Sequence, residues 1–348
     1  MSKDEFYMQR CFELAALGAG SVAPNPLVGS VIVHEDKIIG EGYHRAHGSA
    51  HAEVNAISSV KDKSLLSEAT IYVNLEPCAH HGKTPPCADL IVSHNFKRVV
   101  ICNTDPFEEV DGKGIERLRE SGIDVAAGIL EEDGRWLNRR FFTFHEKKRP
   151  FVILKFAQTI DGYLDSYRKE DDKKEPLKIT GGQMNRIVHK WRSEEDSILV
   201  GRNTVLLDNP ALTARLWPGK NPLRLVIDPE LQIKADKTIL SDGNHTWIFN
   251  ALRTDYCENN LCYIQINDAR KFHSEILTYL YKNDIQSVII EGGAATLARF
   301  VDAEMWDEAR IITGQIRIGE GVSAPDIHGK LLSTELIGND LLQVYLPA

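Results

Sequence analysis

The sequence predicts two successive layered α/β domains, on three observations. Strand-like and helix-like stretches alternate along the chain, the pattern of sheets covered by helices. The alternation breaks at the charged run Phe144-His145-Glu146-Lys147-Lys148-Arg149-Pro150 and then restarts. The length of 348 residues suits two units of roughly 100–200 residues each. The expected division is 1–147 and 148–348.

In the first unit, Tyr7, Cys11, Leu14, Ala15 and Gly18 recur at helical spacing, with Gly18 and Gly20 as stop signals. Pro24-Asn25-Pro26 is a loop, 28–33 a buried strand and 37–43 its returning partner. A helix over 51–60 and a strand over 70–75 follow. Pro85-Pro86 suits the start of a helix to Ser93. Strand 97–102, helix 114–120 closed by Gly122, and strand 123–126 complete the unit. The second unit opens with strand 151–156; a polar run over 165–176 reads as an exposed loop. Helix 183–193 and strand 197–200 come next, then strands 223–227, 246–249 and 262–266. Helix 271–281, strand 287–290 and helix 294–301 end the reading.

Composition narrows the function. Hydrophobic residues make up 43% and charged residues 26%, ordinary for a globular chain. The 41 basic and 50 acidic residues leave a formal charge of −9, against the basic footprint of a nucleic-acid binder yet compatible with a small anionic substrate. The opening MSKDEFYMQR is charged where a signal peptide is apolar, and no stretch reaches the ~18–20 apolar residues of a membrane span. A cytoplasmic protein without membrane partners is expected. In a reducing compartment six cysteines are not a disulfide framework. Cys11, Cys102, Cys257 and Cys262 are read as packing residues; Cys78 and Cys87 have chemistry around them.

His51-Ala52-Glu53 is followed, 24 residues after Glu53, by Pro77-Cys78 and then Cys87. One imidazole and two thiolates hold zinc and leave a fourth position for water. The metal lowers that water's pKa towards ~7, and Glu53 is placed to carry protons to a ring nitrogen and a departing ammonia. This is the zinc nucleobase deaminase signature, except that eight residues rather than two separate the cysteines. A purely structural zinc is the alternative, with His80 or His81 as fourth ligand.

The phrase Glu76-Pro77-Cys78-Ala79-His80-His81-Gly82-Lys83-Thr84-Pro85-Pro86-Cys87 resembles the deaminase half of the bifunctional riboflavin-biosynthesis deaminase/reductase family. So do Pro24-Asn25-Pro26-Leu27-Val28-Gly29 and Gly40-Glu41-Gly42-Tyr43-His44. In the second unit the resemblance rests on 154–162, Thr180-Gly181, 208–215 and Glu291-Gly292-Gly293. It implies a cytidine-deaminase-like three-layer αβα domain followed by a dihydrofolate-reductase-like α/β domain. The implied reactions are deamination of 2,5-diamino-6-ribosylamino-4(3H)-pyrimidinone 5′-phosphate and NADPH reduction of its ribosyl group to ribityl. The partner is then a small phosphorylated pyrimidine, not nucleic acid, and a homo-oligomer (dimer or tetramer) is expected.

By this resemblance Asn25, His44 and Lys83 line the deaminase pocket and hold base or phosphate. Arg192 and Arg215 grip substrate phosphate or ribose, with Glu291 and Leu212 as further substrate contacts. Gln158, Lys178, Thr204 and Asp208 are cofactor-side positions, and Gly293, Ala294, Ala295, Thr296 and Leu297 cradle its phosphates. Lys155 and Asp161 are candidate acids. The chain departs from the family at His47-Gly48-Ser49-Ala50, before the metal histidine, and at Pro176, Lys178 and Pro229. Two readings stay beside the bifunctional one: a deaminase whose second domain has lost reduction, and a nucleic-acid-editing deaminase.

Overall fold

The structure is a computed structural model that describes residues 1–79, 85–107, 109–168, 175–268 and 271–348. The chain divides into two compact units, Met1–Lys148 and Arg149–Ala348.

The first unit runs α1 (Lys3–Ala16), β1 (Gly29–His34), β2 (Lys37–Tyr43), α2 (Ala52–Ser59), β3 (Thr70–Leu75), α3 (Cys87–Ser93), β4 (Arg98–Asn103), α4 (Lys113–Glu120), β5 (Asp124–Ala127), α5 (Glu131–Leu137) and α6 (Arg139–Lys147). Its sheet has the order β2-β1-β3-β4-β5. β1 pairs antiparallel with β2 and β3, and β3, β4 and β5 are parallel. Strand alternation assigns the two faces. Val31, Val33, Tyr72, Val100 and Cys102 meet Tyr7, Met8, Cys11 and Leu14 of α1. Ile32, Ile71, Val73, Val99 and Ile101 meet residues of α2, α3 and α4 on the other side. This is the three-layer αβα arrangement.

α1 starts earlier than apolar spacing alone suggests, because Ser2 and Glu5 form a reciprocal capping box that brings Lys3, Asp4, Glu5 and Phe6 into the helix. α5 and α6 fill the stretch read as a charged seam; Phe141 and Phe142 are buried with Leu75.

The second unit runs β6 (Phe151–Gln158), β7 (Tyr163–Asp165), α7 (Gly182–Glu194), β8 (Ser197–Gly201), α8 (Arg202–Asp208), β9 (Leu223–Ile227), α9 (Thr238–Ser241), β10 (Thr246–Asn250), β11 (Tyr256–Glu258), β12 (Leu261–Gln265), α10 (Phe272–Lys282), β13 (Ser287–Ile290), α11 (Ala294–Asp302), β14 (Glu308–Thr313), β15 (Val322–Ser323), β16 (Gly329–Ile337) and β17 (Asp340–Pro347). Ten strands form one sheet in the order β11-β12-β10-β9-β8-β13-β6-β14-β17-β16. β12 to β14 in that order are parallel, and both edges are antiparallel. Val152, Leu154 and Phe156 of β6 pack with α10 and α11, while Phe151 and Ile153 pack towards Val205 and Ile239.

Two expectations change here. Cys257 and Cys262 are not packing residues: they face each other across β11 and β12 and are joined as a disulfide. Their tight antiparallel register, with the residues directly opposed, brings the two sulfurs together. Nor is the start of the run 165–176 simply exposed; 169–174 lie outside the described residues. Asp165 ends β7, and the Arg168 side chain is only 3% exposed, its charge matched by Asp165 and Asp208.

Gly29 shows how tightly α1 lies on the sheet: a Cβ there would sit 2.1 Å from the Cys11 carbonyl oxygen. Gly29→Ala is therefore expected to force α1 off β1 and lower stability by about 1–3 kcal/mol or more, read as a reduced denaturation midpoint of the first unit.

Candidate active sites in the two units

In the first unit, chain ends converge. β3 ends at Leu75 and leads into Cys78; Cys87 is the first residue of α3, and His51 is the N-cap of α2. Their ligand atoms all lie within 4.8 Å of one another. His51 Nδ1 is 3.7 Å from Cys78 Sγ and 3.3 Å from Cys87 Sγ, and the Cys87 amide donates to Cys78 Sγ at 3.3 Å. Zinc–ligand bonds of about 2.0–2.3 Å span such a triangle.

The charges call for a cation. Hydrogen bonds from Cys87 and His51 hold the Cys78 thiol well below the usual thiol range, favouring its thiolate. Its charge pushes Cys87 up, assisted by burial. Glu53, the second residue of α2 and 3% exposed, is pushed up to about 6 by burial and by Cys78. Three acidic groups thus crowd one place, and a divalent ion allows all three to ionise. The donor set and spacing fit zinc.

His44 and Asn25 stand beside this cluster. The His44 ring is 5.6 Å from that of His51, edge to face. His44 Nδ1 lies 3.1 Å from the Ala50 carbonyl, which can only accept, so Nδ1 carries the proton. Nε2 then accepts from Asn25 Nδ2 at 3.0 Å. Burial lowers the His44 pKa and keeps the ring neutral. Lys83, His80 and His81 lie outside the described residues.

The second unit has a cavity of about 840 Å³ at the carboxyl ends of its parallel strands, the usual place for a ligand in such sheets. Of the sequence candidates, Lys178, Thr204, Asp208, Glu291 and 293–297 line it, as does Lys155. Gly293 has φ +77° and caps α11. A Cβ on Gly292 would sit 2.8 Å from Thr204 Oγ1 and 2.9 Å from Val200 Cγ1. The turn can therefore lie against β8 only as glycine.

Arg192 and Glu291, expected as separate substrate contacts, are bonded to each other. Arg192 Nε and Nη2 donate to the two carboxylate oxygens at 2.8 and 2.7 Å, and Lys155 Nζ adds a third contact at 3.3 Å. All three are largely shielded, their side chains 13% (Lys155), 13% (Arg192) and 5% (Glu291) exposed. Arg192 and Lys155 overcome the burial penalty on Glu291 and draw its carboxyl down to about 2. Burial lowers Lys155. Arg192 Nη1 also donates to the Thr213 carbonyl, beside Leu212. Leu212 has φ +52° and a buried side chain, so its main chain is what faces outward contacts. Arg215 is exposed, and Gln158 Nε2 donates to Thr313 Oγ1. Asp161 is a loop clamp: it accepts from Thr159 Oγ1 at 2.7 Å and from the Gly319 amide at 2.8 Å.

The sequence reading missed Arg168, Arg202, His273 and Arg299 on the cavity wall. It also missed His189, 5% exposed and held down at about 4 by burial and then by Arg192 and Arg215. His189 stands one turn before Arg192 on α7, and that spacing was the available signal.

Residues 1–103 match the cytidine and deoxycytidylate deaminase zinc-binding region, and residues 150–342 match the RibD C-terminal domain. The riboflavin biosynthesis protein RibD of Aquifex aeolicus is 37% identical over 328 residues, spanning 93% of this chain and 90% of that one. That of Bacillus amyloliquefaciens is 39% identical over 332 residues, spanning 93% and 87%. The solved diaminohydroxyphosphoribosylaminopyrimidine deaminase/5-amino-6-(5-phosphoribosylamino)uracil reductase of Thermotoga maritima is similar over 99% of both chains, with TM-score 0.87 and 35% identity. Acinetobacter baumannii RibD has TM-score 0.89 and 30% identity over the same share.

Glu291→Gln would leave two buried cations without their counter-charge. A loss of about 3 kcal/mol is expected in the second unit. The carboxylate is depressed in the folded state, so its contribution is full above about pH 4.5 and is lost as pH falls towards 2. Urea denaturation should show the gap between the two proteins narrowing below pH 4.5.

Proposed function

This chain belongs to the RibD family of bifunctional riboflavin-biosynthesis deaminase/reductases, and from that we propose how its residues divide the work. It is a zinc-dependent deaminase and a nicotinamide-dependent reductase acting on small molecules. Deamination of 2,5-diamino-6-ribosylamino-4(3H)-pyrimidinone 5′-phosphate is followed by reduction of the ribosyl group to ribityl, giving 5-amino-6-ribitylamino-uracil 5′-phosphate.

His51, Cys78 and Cys87 are the residues proposed to hold zinc. When bound, the metal supplies a water acidified towards neutrality. Glu53 is the residue that would take one proton from the attacking water and pass it to the ring nitrogen as the oxygen–carbon bond forms, then take the second from the new hydroxyl and pass it to the amine, which leaves as ammonia as the carbon–nitrogen bond breaks. Asn25, fixed by neutral His44, reads an amide-like ring edge, and Lys83 holds the phosphate. The observation that carries this reading is the buried Glu53 carboxyl beside the His51–Cys78–Cys87 triangle.

In the second unit Arg215, Leu212 and the Arg192–Glu291 pair form the proposed substrate side, and Gln158, Lys178, Thr204, Asp208 and 293–297 the cofactor side. A nicotinamide held on the cofactor side would supply hydride to C1′, and Lys155 Nζ is the residue that would protonate the ring oxygen released as its bond to C1′ breaks. NADPH is the proposed cofactor: Lys178, Arg202 and Arg299 on the cavity wall suit an additional phosphate. The cytoplasm is the proposed location: Cys78 and Cys87 must stay thiols to hold zinc, whereas Cys257 and Cys262 are brought together by the opposed register of their strands. A homo-oligomer is proposed from the edge strand β16, which exposes Leu331, Leu332 and Leu336 at 47%, 47% and 70%. No helix among the described residues is long and apolar enough to cross a membrane.

Glu53→Gln should retain zinc while ammonia release falls by about 10²–10⁴-fold. The same preparation should oxidise NADPH in preference to NADH with pre-deaminated substrate. Undiminished ammonia release, or no cofactor oxidation by the wild-type chain, contradicts the respective half. Leu332→Lys with Leu336→Lys should shift sedimentation towards the monomer; an unchanged profile removes β16 as the contact.

A further inference from the structure

We propose that Glu76 and Gly114 are positioning residues of the metal centre, acting through the main chain that delivers Cys78. The proposal rests on the assignment of His51, Cys78 and Cys87 as ligands.

Glu76 is 4% exposed and two residues before Cys78. Its partners are four main-chain amides from a different part of the chain. Oε2 accepts from Asp105 at 3.2 Å and Gly112 at 3.0 Å, and Oε1 from Gly114 at 2.8 Å and Ile115 at 3.1 Å. Gly112 has φ +84°, which turns successive amides towards one anion. Lys113 follows as the first residue of α4, so the helix dipole favours a negative charge at the same point.

The clamp reaches the intervening residue as well. A Cβ on Gly114 would sit 2.0 Å from the Pro77 carbonyl oxygen, so the α4 N-terminus lies directly on the peptide that leads into Cys78. On its other side Cys78 is tied to α3: its carbonyl accepts from the Ala88 amide at 3.2 Å and its sulfur from Cys87. The Glu76 amide donates to the Asn103 carbonyl at 2.9 Å, joining β3 and β4 at the same level. One thiolate is thereby placed by two helices and two strands.

A charged acceptor is required for four donors. In Glu76→Gln one oxygen becomes an NH₂ group facing amide hydrogens, and half the clamp opens. Gly114→Ala leaves the carboxylate intact and pushes on Pro77 instead. Both changes displace Cys78 without touching a ligand atom.

The test uses the full-length chain with cobalt in place of zinc; the denaturation midpoint of the first unit reports whether that unit stays folded in each variant, and reductase turnover reports the second unit. Both variants should retain reductase turnover, shift the thiolate-to-cobalt charge-transfer band and lose metal to a chelator about 10–100-fold faster than the parent. An unchanged band and parental metal-loss rates in both variants overturn the proposal. A parent protein that binds cobalt without any thiolate band overturns the ligand assignment, and the proposal with it.

Discussion

A charge taken out of water costs several kcal/mol unless a partner is fixed beside it. In each unit that requirement accounts for where strands stop and helices begin. Glu291 stands at the end of β13 because Arg192 of α7 and Lys155 of β6 meet it there. In the first unit the thiol pair and Glu53 gather at the N-termini of α2 and α3, where helix dipoles favour negative charge. Parallel strands supply the geometry: their carboxyl ends lie side by side, and the helices that follow start at that level. The apolar layers on both faces keep water away.

The convergence of His51, Cys78 and Cys87 was legible in the sequence because metal chemistry permits few residue types. His51, Cys78 and Cys87 had to converge if any of them was to act, and they do. The alternation of β and α was legible for the same reason, since buried strands such as 151–156 admit little but apolar residues. The final sheet edge was not. β14 buries Glu308 and Arg310, which are hydrogen-bonded to each other at 2.5 Å, so its sequence reads as half-exposed. β16 is largely exposed and carries no clean alternation. Exposure of that kind removes the contrast on which a period of two depends.

Partnerships across long separations were equally hidden. Arg192 and Glu291 are 99 residues apart, so their types suggest two oxygen-binding groups rather than one salt-linked unit. Arg168 looked like a solvated charge among others until Asp165 and Asp208 closed on it. Cys257 and Cys262 were misread because compartment, a property of the whole chain, was allowed to decide a local question. Their pairing is set by strand register alone.

The hydrogen-bond chain from Ala50 through His44 to Asn25 carries a kind of grammar. The carbonyl of Ala50 dictates which imidazole nitrogen is protonated, and the imidazole dictates which end of the Asn25 amide turns inward. An asparagine alone is ambivalent, since its two ends differ by little in shape. Here its sense is written by a main-chain atom that no side-chain substitution can delete. The orientation of the Asn25 amide is thus inherited from the path of the backbone at 44–50. It can drift only if that loop itself changes course.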